Sequence, residues 1–64
     1  AALHPRELQI LSLVAAGLRN RDIGDRLFLS EETVKWYLKR VYEALGVGNR
    51  THALARAREL KLMR

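Results

Sequence analysis

The chain of 64 residues contains no cysteine, one proline and one tryptophan. Without cysteine, disulfide bonds and thiolate metal sites are excluded. The two histidines, His4 and His52, lie far apart and have no acidic neighbours at ligand spacing, so we expect no metal and no cofactor. A chain this short supports one small core, and we therefore predict one domain over residues 1–64.

Long hydrophobic runs are also missing from the chain. Neither a stretch of about 18 apolar residues nor a signal-peptide pattern occurs, so we expect no membrane contact and a cytoplasmic location. Seven Asp and Glu stand against twelve Lys and Arg, a formal net charge of +5. This balance favours a polyanionic partner, such as nucleic acid or anionic lipid. Because the chain begins at Ala1 rather than methionine, we expect it to be part of a longer protein.

Signals for helix starts and ends recur along the chain, and no alternating strand pattern persists. The first predicted helix begins at Pro5 and ends at Gly17, its left-handed C′ residue. The other predicted helices run over 20–27, 31–45 and about 51–60, with Ser30 and Thr51 as the caps of the last two. The predicted fold is therefore all-α, a compact four-helix bundle. The second and third helices, joined by three residues, have the spacing of a helix-turn-helix.

Apolar residues at helical spacing predict one buried face for each helix. The predicted buried residues are Leu8, Ile10, Leu11, Val14 and Ala15 in the first helix, Ile23 and Leu27 in the second, Val34, Leu38, Val41 and Leu45 in the third, and Ala53, Leu54, Ala57 and Leu60 in the fourth. Leu13 falls off the face of the first helix. Gly24, inside the second helix, indicates a close crossing with the third, where alanine is expected to be tolerated and leucine is not.

The face of the third helix opposite its apolar stripe is unusual for a solvent-exposed surface. It carries Glu32, Lys35, Trp36, Lys39, Arg40 and Glu43. Tryptophan is usually buried or used in contact surfaces, so an indole among cations indicates a surface that enters a groove. The alternative is a tryptophan that lies flat on its neighbours among solvating lysines.

Several segments of the chain carry a closer resemblance to one family. They are Leu3-His4-Pro5-Arg6-Glu7, Gly17-Leu18-Arg19-Asn20-Arg21-Asp22-Ile23, Leu27-Phe28-Leu29-Ser30-Glu31-Glu32-Thr33-Val34-Lys35 and Leu45-Gly46-Val47-Gly48-Asn49-Arg50-Thr51. Together they resemble the LuxR-type DNA-binding domain, and the resemblance covers essentially the whole chain. The run Trp36-Tyr37-Leu38-Lys39 and the ending Ala55-Arg56-Ala57-Arg58-Glu59-Leu60 look most like the branch in which this domain closes a large ATP-dependent transcriptional activator.

The resemblance implies a division of roles within the helix-turn-helix. Base edges are expected to contact Lys35, Trp36, Lys39 and Glu32, although Glu32 can equally serve only to offset the helix dipole. Phosphates are expected to contact Arg21 and Thr33, which match phosphate-contacting positions of the family, and in addition Arg19, Arg40 and Arg50. Dimerisation is expected through the fourth helix, at His52, Ala55, Arg56 and Glu59. The chain departs from the family at His4 and Arg19, where Ser or Thr usually caps a helix, so both helix starts are expected to fray unless Asn20 takes over the second cap.

We therefore predict a transcription-regulator effector domain that binds duplex DNA through the third helix, as a dimer on DNA, with RNA polymerase as a further expected partner. No enzyme is predicted, because Ser12 has no histidine nearby in sequence and the glycines end helices rather than form a phosphate loop. One rival is a protein-interaction module that grips an acidic partner through Trp36 and Lys39. A peripheral membrane binder is a second rival, disfavoured because the cationic face lacks a broad exposed apolar neighbour.

Overall fold

The computed structural model describes residues 3–62, which form four helices and no strand. The helices are α1 (Pro5–Ala15), α2 (Asn20–Leu27), α3 (Glu31–Leu45) and α4 (Arg50–Glu59). This architecture confirms the predicted all-α class, and the limits predicted for α2 and α3 are correct. Within residues 3–62, every helix is too short or too polar to cross a bilayer.

The core consists of two clusters that meet along α3. The first joins α1, α2 and α3 through Ile10, Val14, Ile23, Val34 and Leu38. The second joins α1, α3 and α4 through Leu11, Val41, Leu45, Ala53 and Ala57. The predicted stripe of α3 contributes Val34 and Leu38 to the first cluster and Val41 and Leu45 to the second, so burial of one face along the length of the helix fixes its rotation. Its opposite face is therefore directed away from the core.

Gly17 ends α1 as predicted, but the buried face of the helix differs from the prediction. The helix stops at Ala15, Ala16 is its C-cap, and Gly17 follows as the C′ residue in a left-handed conformation with φ of 91°. Ala15 is exposed, whereas Leu13, which we placed off the buried face, packs against the first cluster. The reason is length, because a leucine at the edge of the face reaches core atoms that an alanine methyl does not.

Gly24 lies against the turn that joins α2 to α3, and not against a crossing helix as the sequence indicated. It is buried, and a Cβ added to it would collide with the backbone carbonyl oxygen of Leu29. The Leu29 N–H donates to the carbonyl of Gly24 at 2.8 Å, which brings the turn back over the helix. Phe28 between them adopts a left-handed conformation with φ of 60°. The expectation that alanine is tolerated at Gly24 is therefore wrong.

The N-caps also depart from expectation. The cap of α4 is Asn49 rather than Thr51, since the Asn49 Oδ1 accepts from the His52 N–H at 2.9 Å. His4 and Arg19 occupy the cap positions of α1 and α2, and Asn20 is already the first residue of α2, so it does not take over that cap. Ser30 caps α3 as predicted, accepting from the Thr33 N–H at 3.1 Å.

The last turn of α4 is less buried than predicted. Leu60 follows the helix as its C-cap and is 39% exposed. The helix ends at Glu59, and Leu62 packs on the second cluster instead. The Leu62 N–H donates to the Ala57 carbonyl at 2.9 Å, which folds the chain back and places Leu62 over the core.

The corrected cap gives a direct stability prediction. Asn49→Ala removes the acceptor for an otherwise unpaired helix N–H, and we expect the free energy of unfolding to fall by about 1 kcal/mol. Thr51→Ala, at the exposed position where the sequence placed the cap, is the matched control and should change it by less than about 0.5 kcal/mol. Urea unfolding of both variants measures the difference. Equal losses would mean that Asn49 is not the cap.

Candidate nucleic-acid interface

The outward face of α3 presents the residues that the sequence placed there. Glu32, Lys35, Trp36, Lys39, Arg40 and Glu43 are all exposed. Lys35 and Lys39 line a shallow groove together with Asn20 at the start of α2 and Arg50 at the start of α4. The structure therefore brings the lysines of α3 beside the starts of two other helices. Backbone N–H groups at the start of a helix favour the binding of an anion, and so do nearby cations.

The Trp36 indole lies on its neighbours and is also exposed, so both interpretations of this residue hold in part. It lies against its neighbours, with its ring centroid 5.0 Å from that of Tyr37 at an interplanar angle of 75°. The guanidinium carbon of Arg40 lies 5.0 Å from the indole centroid. The residue nevertheless remains 54% exposed. A supported yet accessible aromatic ring suits a contact surface.

Glu32 forms an ion pair on this face. Its Oε1 lies 3.5 Å from the Lys35 Nζ, and both side chains are largely exposed. An exposed pair of this kind contributes little to stability, so Lys35 can leave Glu32 for a polyanion at small cost. Glu32 also lies in the first turn of α3, where the helix dipole favours an acid.

The five residues expected at phosphates have different environments. Arg19 and Arg21 are exposed at the start of α2. The Thr33 hydroxyl lies 2.9 Å from that of Ser30. Arg40 lies 3.5 Å from the Glu7 carboxylate. Arg50 donates to the Leu18 carbonyl at 3.4 Å and to the side-chain oxygen of Asn20.

Two of these contacts involve residues that the sequence analysis did not assign to the site. Asn20 receives the hydrogen bond from Arg50, which ties the start of α4 to the start of α2. Glu7 is buried at 4% exposure, although the sequence analysis named it only as part of a family motif. A signal was present, because Glu7 lies three and four residues before Ile10 and Leu11 and so shares their buried face.

The four residues expected in dimerisation lie together on one side of α4. They are His52, Ala55, Arg56 and Glu59, and they line a shallow concave surface with Leu45, Gly46 and Val47. Arg56 and Glu59 pair with each other at 3.2 Å. The surface is thus mixed in character, with a small apolar floor and a charged border.

Within residues 3–62, no three His, Asp or Glu side chains converge as a metal site would require. The chemistry of the outward α3 face is instead that of cations, one aromatic ring and two carboxylates on a rigid helix. Two helices joined by a short turn, the second presenting such a face, define a helix-turn-helix domain of the nucleic-acid-binding class.

Comparison with known proteins identifies the family. Residues 1–57 match the family of bacterial regulatory proteins described as the luxR family, and the chain belongs to it. This confirms the resemblance drawn from the sequence motifs. The chain is 44% identical over 64 residues to the DNA-binding transcriptional activator DevR/DosR of Mycobacterium tuberculosis, covering all of this chain and 30% of that protein.

Two further matches show the same relationship. The HTH-type transcriptional regulator AlkS of Alcanivorax borkumensis is 40% identical over 53 residues, which cover 83% of this chain and 6% of that protein. The crystal structure of the response regulator ChrA from a heme-sensing two-component system superimposes with a TM-score of 0.94 at 46% identity, covering 98% of this chain and 31% of that one. The chain thus spans less than a third of the length of each of these relatives.

Proposed function

We propose that residues 1–64 act as the DNA-binding domain of a transcription regulator and bind duplex DNA sequence-specifically through α3 in the major groove. The observation that carries this proposal is the position of α3 between both core clusters. Because both clusters bury the same face of α3, Lys35, Trp36 and Lys39 are presented on a rigid helix. The major groove of DNA admits one such helix. Membership of the luxR family and the similarity to the DNA-binding transcriptional activator DevR/DosR support the proposal.

Base recognition is assigned to the outward face of α3. Lys35 and Lys39 can donate to the O6 and N7 atoms of guanine, and Glu32 can accept from the N4 amino group of cytosine. The exposed indole of Trp36 offers an apolar surface for a thymine methyl or a sugar. These roles use the side chains that the core leaves outward.

Phosphate contacts are assigned first to Arg19 and Arg21, which are exposed at the start of α2. Thr33, in the first turn of α3, offers a hydroxyl donor for a further phosphate contact. Arg50 can contribute positive charge near the backbone, although its guanidinium group already donates to Leu18 and Asn20. The Arg40 guanidinium is held beside Glu7 and the Trp36 ring, which leaves it less free to contact a phosphate.

We further propose that the chain pairs on DNA through the surface of α4 that contains His52, Ala55, Arg56 and Glu59. Because this surface is shallow and partly charged, we expect monomers in solution and dimers only on a two-site duplex. Analytical ultracentrifugation at micromolar concentration, with and without the duplex, measures both states. A stable dimer without DNA would contradict the expectation.

Selection of bound sequences from random duplex DNA tests the proposed function. We expect an enriched motif, with half-sites roughly one helical turn apart if both recognition helices enter the same side of the duplex. Binding should also weaken steeply with salt, because phosphate contacts release counterions. No enrichment, together with tight binding to an acidic protein through Trp36 and Lys39, would instead support the rival interaction module.

Within a longer regulator, we propose that this domain binds DNA without catalysing a reaction. The regulator would then act on RNA polymerase bound nearby on the same DNA. A cytoplasmic location accompanies this proposal, because the bacterial chromosome lies there. The luxR family and the similarity to the transcriptional regulators AlkS and DevR/DosR support these roles.

A further inference from the structure

A buried carboxylate lies behind the exposed tryptophan. Glu7 of α1 is 4% exposed, and both of its oxygens have a partner. Its Oε1 accepts from the His4 N–H at 2.8 Å, and its Oε2 lies 3.5 Å from the Arg40 Nε. Burial of a charge is unfavourable unless it is paired, so Glu7 strongly favours conformations that keep the Arg40 guanidinium beside it.

Arg40 connects this carboxylate to the indole. Its Nε faces Glu7, and its guanidinium carbon lies 5.0 Å from the ring centroid of Trp36, within the range of a cation–π contact. A guanidinium is planar, so it can donate at one edge while one of its faces lies on an aromatic ring. Two partners on different helices therefore fix the orientation of the Arg40 side chain.

Trp36 is supported from a second direction by Tyr37, whose ring meets the indole edge-on. An exposed indole without such support would sample several rotamers and lose that freedom on binding. We propose that Glu7 and Arg40 are positioning residues that pre-orient Trp36 for base recognition: Glu7 holds Arg40, and Arg40 holds the indole. This inference rests on the proposed function.

This positioning role of Arg40 differs from the direct phosphate contact that the sequence predicted. A phosphate contact acts on every duplex alike and contributes to the salt dependence of binding. A positioning contact acts through Trp36 and affects only the duplex that Trp36 helps to recognise. The two roles therefore give opposite results on selected and scrambled DNA.

The experiment uses Arg40→Gln and Glu7→Gln, each alone and combined with Trp36→Ala. Arg58→Gln removes the same charge from an exposed position on α4 and is the matched control. Affinities for a selected and a scrambled duplex are measured at several salt concentrations. Because Trp36 is the one tryptophan of the chain, its fluorescence anisotropy decay reports the motion of this indole in the protein without DNA.

We expect Arg40→Gln and Glu7→Gln to weaken binding to the selected duplex about tenfold, while binding to the scrambled duplex changes less than about twofold. The anisotropy decay of the protein without DNA should show a more mobile indole. In the Trp36→Ala background, both substitutions should lose their effect on the selected duplex. Arg40→Lys, which keeps the charge without the planar group, should not restore the indole signal.

Equal losses on both duplexes with a smaller salt dependence, restored by Arg40→Lys, would make Arg40 a phosphate contact and overturn the inference. An unchanged indole signal, or an effect that persists without Trp36, would also overturn it. If Glu7→Gln does not fold, Arg40→Gln alone decides between these outcomes. If the parent chain does not discriminate between the duplexes, the proposed function itself is contradicted. If the parent chain discriminates but the effects of the substitutions do not depend on Trp36, only the positioning role is contradicted.

Discussion

Replacement of Gly24 by alanine is expected to lower the free energy of unfolding by about 1–3 kcal/mol, and replacement by leucine by more. The added Cβ would collide with the Leu29 carbonyl oxygen, a backbone atom that cannot rotate away as a side chain can. Relief of the collision requires the turn between α2 and α3 to move. A domain of this size has a total stability of roughly 3–10 kcal/mol, so the loss would be a large part of it.

Gly48→Ala is the matched control for this prediction. Gly48 precedes α4, and a Cβ added there would meet no atom within 4 Å among the described residues. Its substitution should leave the free energy of unfolding unchanged or raise it by up to about 1 kcal/mol, because alanine reduces the conformational entropy of the unfolded chain. Thermal unfolding of both variants should show a drop of roughly 10 °C for Gly24→Ala and none for Gly48→Ala. Equal melting temperatures would show that the turn does not press on Gly24.

Lys39→Ala is expected to produce the largest loss of sequence discrimination, about 1–3 kcal/mol on the selected duplex and much less on a scrambled one. Lys39 lies on the outward face of α3 and lines the groove between the starts of α2 and α4. A base contact is made on one sequence only, so its loss should leave the scrambled duplex nearly unaffected. Fluorescence titration of labelled duplexes measures both affinities.

Two comparison variants make this prediction specific. Arg21→Ala, at the start of α2, should weaken binding to both duplexes alike and reduce the slope of log K against log salt by about one unit. Arg58→Ala removes a cation from the exposed end of α4 and should change discrimination little. If Lys39→Ala weakens both duplexes equally, Lys39 contacts phosphate and not a base.

Periodicity alone predicted the part of the fold that positions the site. The stripe Val34, Leu38, Val41 and Leu45 is buried as expected, because a long amphipathic helix has one energetically reasonable rotation against a core. The outward position of Trp36 follows from the same argument. Family motifs added the roles of individual residues, which periodicity does not provide.

The sequence alone did not predict contacts between residues that are far apart along the chain. The ion pair of Glu7 was not predicted because its partner Arg40 is 33 positions away and no local rule joins them. Gly24 was assigned to a helix crossing because its actual neighbour, the Leu29 carbonyl, depends on how tightly the turn folds back. Asn49 and Thr51 are both good capping residues, and the choice between them depends on where the chain leaves the loop.

The central claim, that α3 lies in the major groove, is tested most directly by paramagnetic relaxation. A spin label is attached to the C5 position of a thymine in the major groove of the selected duplex, and amide signals of the bound chain are recorded by NMR. We expect the strongest broadening in residues 32–40, with residues 53–59 much less affected. Strongest broadening in residues 53–59, with 32–40 unaffected, would contradict the claim.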